Sequence, residues 1–356
     1  MAGPIAIKKM NNRSICREPA AQTRRRLTPS CVVCLIVSGG LTTMTGCSGA
    51  GASSDSPPGI SEYVQGVQAD DTGDRARAMT EFRQAIASNP SLCMAHIRLA
   101  DLYRNEGDYS NAAEQYAIAA SLDPYSASNH YNLGLSYQLL HRLADAAAAY
   151  LRALHLDPFN MRANMNLGLV YLELGHPDDA LSYLRRSTQL DPNSAQAWSN
   201  YGVGLDGTGR LREAEQAYVR ALELDSGSPT TLENLASNLI AQRKASAALA
   251  VCQQLLLRSD TALTRTRYGQ ALALAGENDL AMKQFNLALK RNAHSYLTMT
   301  AEAFLLIDEY RAGMQLDEPK RQTALALWDE SLHLNPDQPD VVSAMARWKS
   351  SQLYGN

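Results

Sequence analysis

The chain has 356 residues, 45% of them hydrophobic and 19% charged, which is enough apolar material for one large folded body or two ordinary ones. Ala and Leu abound and aromatics make up only 6%, a balance that favours helix. The formal net charge of −3 hides an asymmetry. Residues 1–46 hold seven basic side chains and one acid, so the remainder carries 26 basic against 35 acidic ones, and a body that acidic is poorly suited to a phosphate backbone.

Arg24, Arg25 and Arg26 precede an apolar run from Leu27 to Gly46, the order of an export signal. The run is interrupted at Gly39 and Gly40 and is too short to span a bilayer comfortably. It ends in Met44-Thr45-Gly46-Cys47, which resembles the lipobox of bacterial lipoproteins, with Met44 standing where Leu is usual. The resemblance implies cleavage before Cys47 and lipidation of its thiol. Residues 1–46 are expected to be a lipoprotein signal peptide; the alternative is an ordinary secretory signal, or an uncleaved anchor, with Cys47 incidental. Residues 1–23 are long for a basic leader, and Met10 is a second candidate start. Cys31 and Cys34 form a CxxC inside the apolar run, without the second pair that zinc or redox chemistry needs. Residues 47–58 are rich in Gly, Ser and Pro and read as a tether, reaching at most about 35–40 Å when extended.

From Gly59 the chain repeats itself. Ala78, Ala112, Ala146, Ala180, Ala214 and Ala248 are 34 residues apart, and Ala281 follows at 33. Four residues after most of them stands a large side chain, as at Phe82, Tyr116, Tyr150, Leu184, Tyr218 and Phe285. Twelve residues before each is a small one: Gly66, Ala100, Gly134, Gly168, Gly202, Ala236 and Gly269. Pro90, Pro124, Pro158 and Pro192 close four units, whereas Ser226, Asp260 and Ala293 replace that proline later. Apolar spacing puts one face of a first helix against a second; the small residues let the two approach, and proline ends the second helix. Gly107 and Gly175 suit a left-handed turn between helices. This pattern resembles the tetratricopeptide repeat family. The resemblance implies an all-α, right-handed α-solenoid of about eight helix-turn-helix units over residues 59–336.

Ala324 and Trp328 restart the pattern 43 residues after Ala281, so the last unit holds about nine extra residues, expected in a long turn near Gly313–Lys320. Residues 337–356 read as a capping helix from about Pro339 to Leu353, with Val341, Val342, Met345 and Trp348 on its apolar side. Cys93 and Cys252 are isolated and read as small core residues. His96 and His130 share one slot, read as packing between helices, since no further ligand completes a metal set. No motif for catalysis or nucleotide binding occurs, so no cofactor, metal or small-molecule substrate is expected.

The resemblance places the first helices on the concave face. One column there stands out: Asn132, Asn166, Asn200 and Asn234, preceded by Arg98 and followed by Arg267. A side-chain amide both donates and accepts, so a regular column can pair with the backbone of an extended segment. It resembles the asparagine ladder in the repeat region of O-linked N-acetylglucosamine transferase, whose catalytic half has no counterpart here. The alternative is that each amide bonds to an adjacent helix. The basic clamp with which some family members grip chaperone termini is missing, because its slot holds Tyr63, Ile97, Tyr131, Met165 and Ser199. The expected function is a scaffold that binds proteins or extended peptides. It would be lipid-anchored in the bacterial envelope, with the outer membrane facing the periplasm favoured, and similar in architecture to pilus-assembly lipoproteins. A client-targeting adaptor for an envelope enzyme such as a protease is the alternative. Nucleic acid is not an expected partner.

Overall fold

The computed structural model describes residues 57–350; the expected signal segment, Cys47 and the expected tether up to residue 56 lie outside them. Among the described residues every regular element is an α-helix. They fall into two compact units, divided between Leu122 and Asp123. The first holds α1 (Ile60–Asp71), α2 (Arg75–Ser88), α3 (Cys93–Glu106) and α4 (Tyr109–Leu122). The second holds α5 (Ala127–Leu139), α6 (Leu143–Leu156), α7 (Met161–Glu173), α8 (Pro177–Leu190), α9 (Ala195–Gly207), α10 (Leu211–Leu224), α11 (Pro229–Ala241) and α12 (Ala245–Leu256). It continues with α13 (Ala262–Leu274), α14 (Asn278–Arg291), α15 (Tyr296–Ala312), α16 (Glu318–Leu334) and α17 (Pro339–Ser350).

Each odd-numbered helix up to α15 pairs with the next one as a hairpin, giving eight hairpins and a final single helix among the described residues. Within the second unit, each second helix also packs on the following first helix, while first helices touch one another in succession: α5 with α7, α7 with α9, and on to α15. The fold is thus an all-α helical solenoid. Its first helices form one continuous layer there.

The hairpin contact is small under large. At Gly134 an added Cβ would sit 2.8 Å from the Tyr150 ring, and at Gly202 2.5 Å from that of Tyr218. Tyr116, Tyr150, Tyr218, Phe82 and Phe285 are fully buried by this approach. Burying one such ring stabilises by roughly 1.5–3 kcal/mol.

Local chemistry sets the helix ends. Ser126, Asn160, Ser194, Ser228 and Thr261 each accept a hydrogen bond from the backbone N–H three residues on, capping the start of a first helix. The turns inside the hairpins pass through the left-handed region, at Gly107 (φ 83°) and Gly175 (φ 80°) and, in the same slot without glycine, at His141 (φ 56°) and Arg243 (φ 58°). His96, His130, Asn164 and Trp198 share a slot in four first helices. Each donates to the carbonyl of the closing proline six residues earlier, at 3.0, 3.1, 3.3 and 2.9 Å. His96 also lies 2.8 Å from the side-chain amide of Gln115 through Nδ1. Where Asp260 replaces that proline, its carboxylate accepts from Arg265 and Arg291 instead.

The last hairpin differs from expectation. Its nine extra residues do not make a long turn. α15 and α16 have 17 residues each, against 13 and 14 in α7 and α8, and only a five-residue turn, 313–317, joins them. Asp317 caps α16, accepting from the Lys320 N–H, and Pro319 fits the first turn, where no N–H is needed. The segment that looks like a turn therefore starts a helix. α17 covers this hairpin with Val341 and Met345 buried against Ala324 and Trp328. Val342, expected on the apolar side, is half exposed, since it lies beyond the contact stripe.

Because a Cβ at Gly168 would stand 2.6 Å from Leu184 Cγ and 3.2 Å from the Ala180 carbonyl oxygen, no larger side chain fits there without displacing α8. Gly168→Trp is expected to destabilise by about 1–3 kcal/mol or more. A urea midpoint unchanged from the parent would contradict this packing.

Candidate functional site

The first-helix layer of the second unit brings together Asn132, Asn166, Asn200, Asn234 and Arg267; Arg98 is exposed on α3 in the other unit. The four asparagines occupy equivalent slots but not equivalent surroundings. Asn132 and Asn234 are half-buried, whereas Asn166 and Asn200 are 3% and 6% exposed.

Asn166 is held inside the solenoid. Its Nδ2 donates to Tyr131 Oη on α5 and to Tyr150 Oη on α6, both at 3.3 Å. The uniform ladder expected from spacing therefore fails at Asn166, whose amide ties three helices together. The neighbours at the matching places explain why the next amides differ. For Asn200 they are Met165 and Leu184, which offer no oxygen acceptor in their side chains. For Asn234 they are Ser199, whose hydroxyl accepts from Thr231 Oγ1 at 3.1 Å, and Tyr218, whose hydroxyl is bonded elsewhere. The Nδ2 atoms of Asn200 and Asn234 are accordingly buried with no hydrogen-bond partner in the protein. Buried amide donors without partners are uncommon and costly, by roughly 1–3 kcal/mol each.

Arg267 closes the column on α13. It is half-buried, and its Nη1 donates to Gln270 Oε1 at 3.1 Å. Burial lowers the pKa of its guanidinium, opposed by the attraction of Glu233. The slot in which a basic clamp would sit is used for packing: Met165 and Ser199 are buried, and Tyr131 accepts from Asn166. A shallow depression on the second-helix side, between α10 and the start of α12, has four of its five charged side chains paired with one another. Arg220 pairs with Glu223 at 2.8 Å and Lys244 with Glu215 at 2.6 Å. Cys252 is fully buried, and burial pushes its thiol up to about 12, so it stays an uncharged core side chain.

One cluster is not visible as a motif. Tyr218 Oη donates to Asp206 Oδ2 at 2.7 Å, and Asn238 Nδ2 donates to Oδ1 at 2.5 Å. Asn238 also donates to the Leu211 carbonyl at 2.9 Å, so α9, α10 and α11 meet at one carboxylate. Burial pushes the Asp206 carboxyl up to about 6, although both hydrogen bonds act to lower it. The sequence carries a faint signal for this cluster: a polar residue stands twelve before the buried tyrosine in Gln138/Tyr150 as in Asp206/Tyr218, and Gln138 Oε1 likewise accepts from Tyr150 at 2.9 Å.

Repeated helical hairpins stacked through a small-under-large contact define the class: an α-solenoid that presents a layer of first helices. The tetratricopeptide repeat family model matches residues 63–127, 131–195 and 166–229. Residues 63–127 and 131–229 thus carry tetratricopeptide repeats. No curated protein matches its sequence significantly. Among solved structures it is similar to a tetratricopeptide repeat protein from Parabacteroides merdae, with TM-score 0.55 and 18% identity over 68% of this chain and 96% of the other. It is also similar to pilF of Pseudomonas aeruginosa, with TM-score 0.50 and 23% identity over 60% and 96% of the respective chains. A third is the APC/C hetero-tetramer Cut9-Hcn1, with TM-score 0.56 and 16% identity over 77% and 52%. These likenesses are of fold.

The Asp206 environment makes a pH prediction. A carboxyl held near 6 in the fold and near its ordinary value when unfolded keeps its proton longer in the folded state. Its contribution to stability is fully present below about pH 4 and is lost as pH rises through 6. Asp206→Asn removes this titration. Relative to the parent, the variant should gain about 1–3 kcal/mol between pH 4 and pH 7.5 in urea titrations. Stability curves that run parallel across that interval would contradict the assignment.

Proposed function

We propose that this chain is a scaffold of the bacterial envelope that holds extended segments of partner proteins along its first-helix layer, without catalysing a reaction. One observation carries the reading: Asn200 and Asn234, in equivalent slots of neighbouring first helices, leave amide nitrogens that nothing inside the solenoid satisfies. Neighbouring helices lie about 8–10 Å apart, so such amides would meet an extended backbone about every third residue. Asn132 and Arg267 would border that track, whereas Asn166 serves the fold. A pair of amides recognises backbone, so the scaffold would accept segments of differing sequence, as suits assembly of a pilus or a secretion machine.

The anchor in this proposal is a lipid on Cys47. Its support is the basic run, the apolar run and the small residues Thr45-Gly46 before the cysteine. Among the described residues no helix is long and apolar enough to cross a membrane. Ser48 follows the cysteine, and the outer membrane is the proposed site. Cys47→Ser should move the protein from the membrane fraction to the soluble periplasm. If the Cys47→Ser protein stays membrane-bound with its signal attached, the lipid anchor is wrong.

The asparagines divide by role. Asn166→Ala should lower the urea midpoint, with a loss of about 0.5–1.5 kcal/mol from the severed bonds to Tyr131 and Tyr150. Asn200→Ala with Asn234→Ala removes two unpartnered buried donors, so it should keep helicity and leave stability equal or higher, while weakening capture of extended peptides. The proposal is refuted by a double variant that captures peptides as well as the parent does.

A further inference from the structure

The first four helices of this layer, α5 to α11, are poor in charge, unlike α13 and α15, which hold six charged side chains. α5, α7, α9 and α11 total 52 residues and contain four charged side chains, Arg162, Glu173, Asp206 and Glu233, where the composition of the whole chain would give about ten. The second helices α6, α8 and α10 hold eleven in 42 residues. In the hairpins α5–α6, α7–α8 and α9–α10 the charge lies mainly on the second helices, whereas α12 carries none.

The four that remain are poorly placed to grip a charged partner. Arg162 and Glu173 lie at opposite ends of α7. Both oxygens of Asp206 already accept hydrogen bonds, from Tyr218 and Asn238. Glu233 is half-buried, and its field is opposed by Arg267. What these helices carry instead is neutral hydrogen-bonding side chains, among them Asn200 and Asn234 with their buried, unpartnered amide nitrogens. A charged side chain brought into such a layer would lose water and find no counter-charge, a cost that a neutral segment escapes. An uncharged extended segment loses only backbone and small polar hydration, which amides can replace.

We propose that the segment held on α5, α7, α9 and α11 is an uncharged, extended polypeptide stretch rich in small and neutral polar residues, selected by exclusion of charge. The inference rests on the peptide-binding reading above and adds the chemistry of the partner.

The test uses the full-length protein and three fluorescein-labelled twelve-residue peptides: one of Ser, Gly, Thr and Gln, one with four of these replaced by Glu, and one with four replaced by Lys. Fluorescence anisotropy is measured in 0.05 M and 0.5 M NaCl. The neutral peptide should bind about tenfold or more tightly than either charged one, with a Kd that shifts less than about twofold with salt, since no screened charge pair contributes. Asn200→Ala with Asn234→Ala, shown to be folded by circular dichroism, should weaken the neutral peptide about tenfold. If the Glu or Lys peptide binds best and loses its affinity in salt, the exclusion of charge is refuted while peptide binding stands. If none of the three binds, the peptide-binding reading fails together with it.

Discussion

Everything in this solenoid depends on how close the two helices of a hairpin come. The approach is set where a residue without a side chain, such as Gly134 or Gly202, lies under the ring of Tyr150 or Tyr218, with no room for a single carbon between them. The ring thereby loses all contact with water, and the second helix is fixed in angle as well as distance. A hairpin so narrow has its remaining apolar faces uncovered, and the next hairpin covers them. Ala146, Tyr150, Leu167 and Val170 belong to one cluster although they come from successive hairpins. The stack and the layer of first helices both follow from that one short distance.

Repetition of backbone does not bring repetition of chemistry. The slot of Asn166 recurs at Asn200 and Asn234, but an amide there looks back to residues one repeat earlier and to the preceding second helix. Two tyrosine hydroxyls make the first amide a structural tie. A methionine and a leucine leave the second without an acceptor in their side chains. One residue type thus ties helices together in one unit and keeps a buried, unpartnered nitrogen in the next. The tyrosine column behaves similarly. Tyr150 rests on a neutral amide and Tyr218 on a carboxylate that burial pushes up to about 6, so the same packing meets an amide in one hairpin and a carboxyl group in another.

The period of 34 was legible because its markers are chemically extreme: no side chain, a large ring, a residue that cannot continue a helix. Gly134, Tyr150 and Pro158 each permit few structural roles. The slot of His96 and His130 was legible as packing, but its shared act, capping the carbonyl of the closing proline, was not, because His, Asn and Trp have only a donor in common. The extra residues of the last hairpin were countable but not placeable. Gly313 and Pro319 look like turn residues, yet a proline is as well suited to the first turn of a helix as to a loop. The split in the asparagine column depends on partners tens of residues away. A single column read by itself holds no information about them.

The far end of the array has a further meaning. Arg321 is buried, held by Glu318, and donates to the carbonyl of Trp348 at 2.6 Å, while Val341 and Met345 of α17 fill the face that a ninth hairpin would otherwise occupy. A stack of like units is a polymer that has stopped growing, and an uncovered terminal face would accept the first hairpin of another molecule as readily as one of its own. A short amphipathic helix and one guanidinium cover that face, so the eighth hairpin leaves no open stacking surface there.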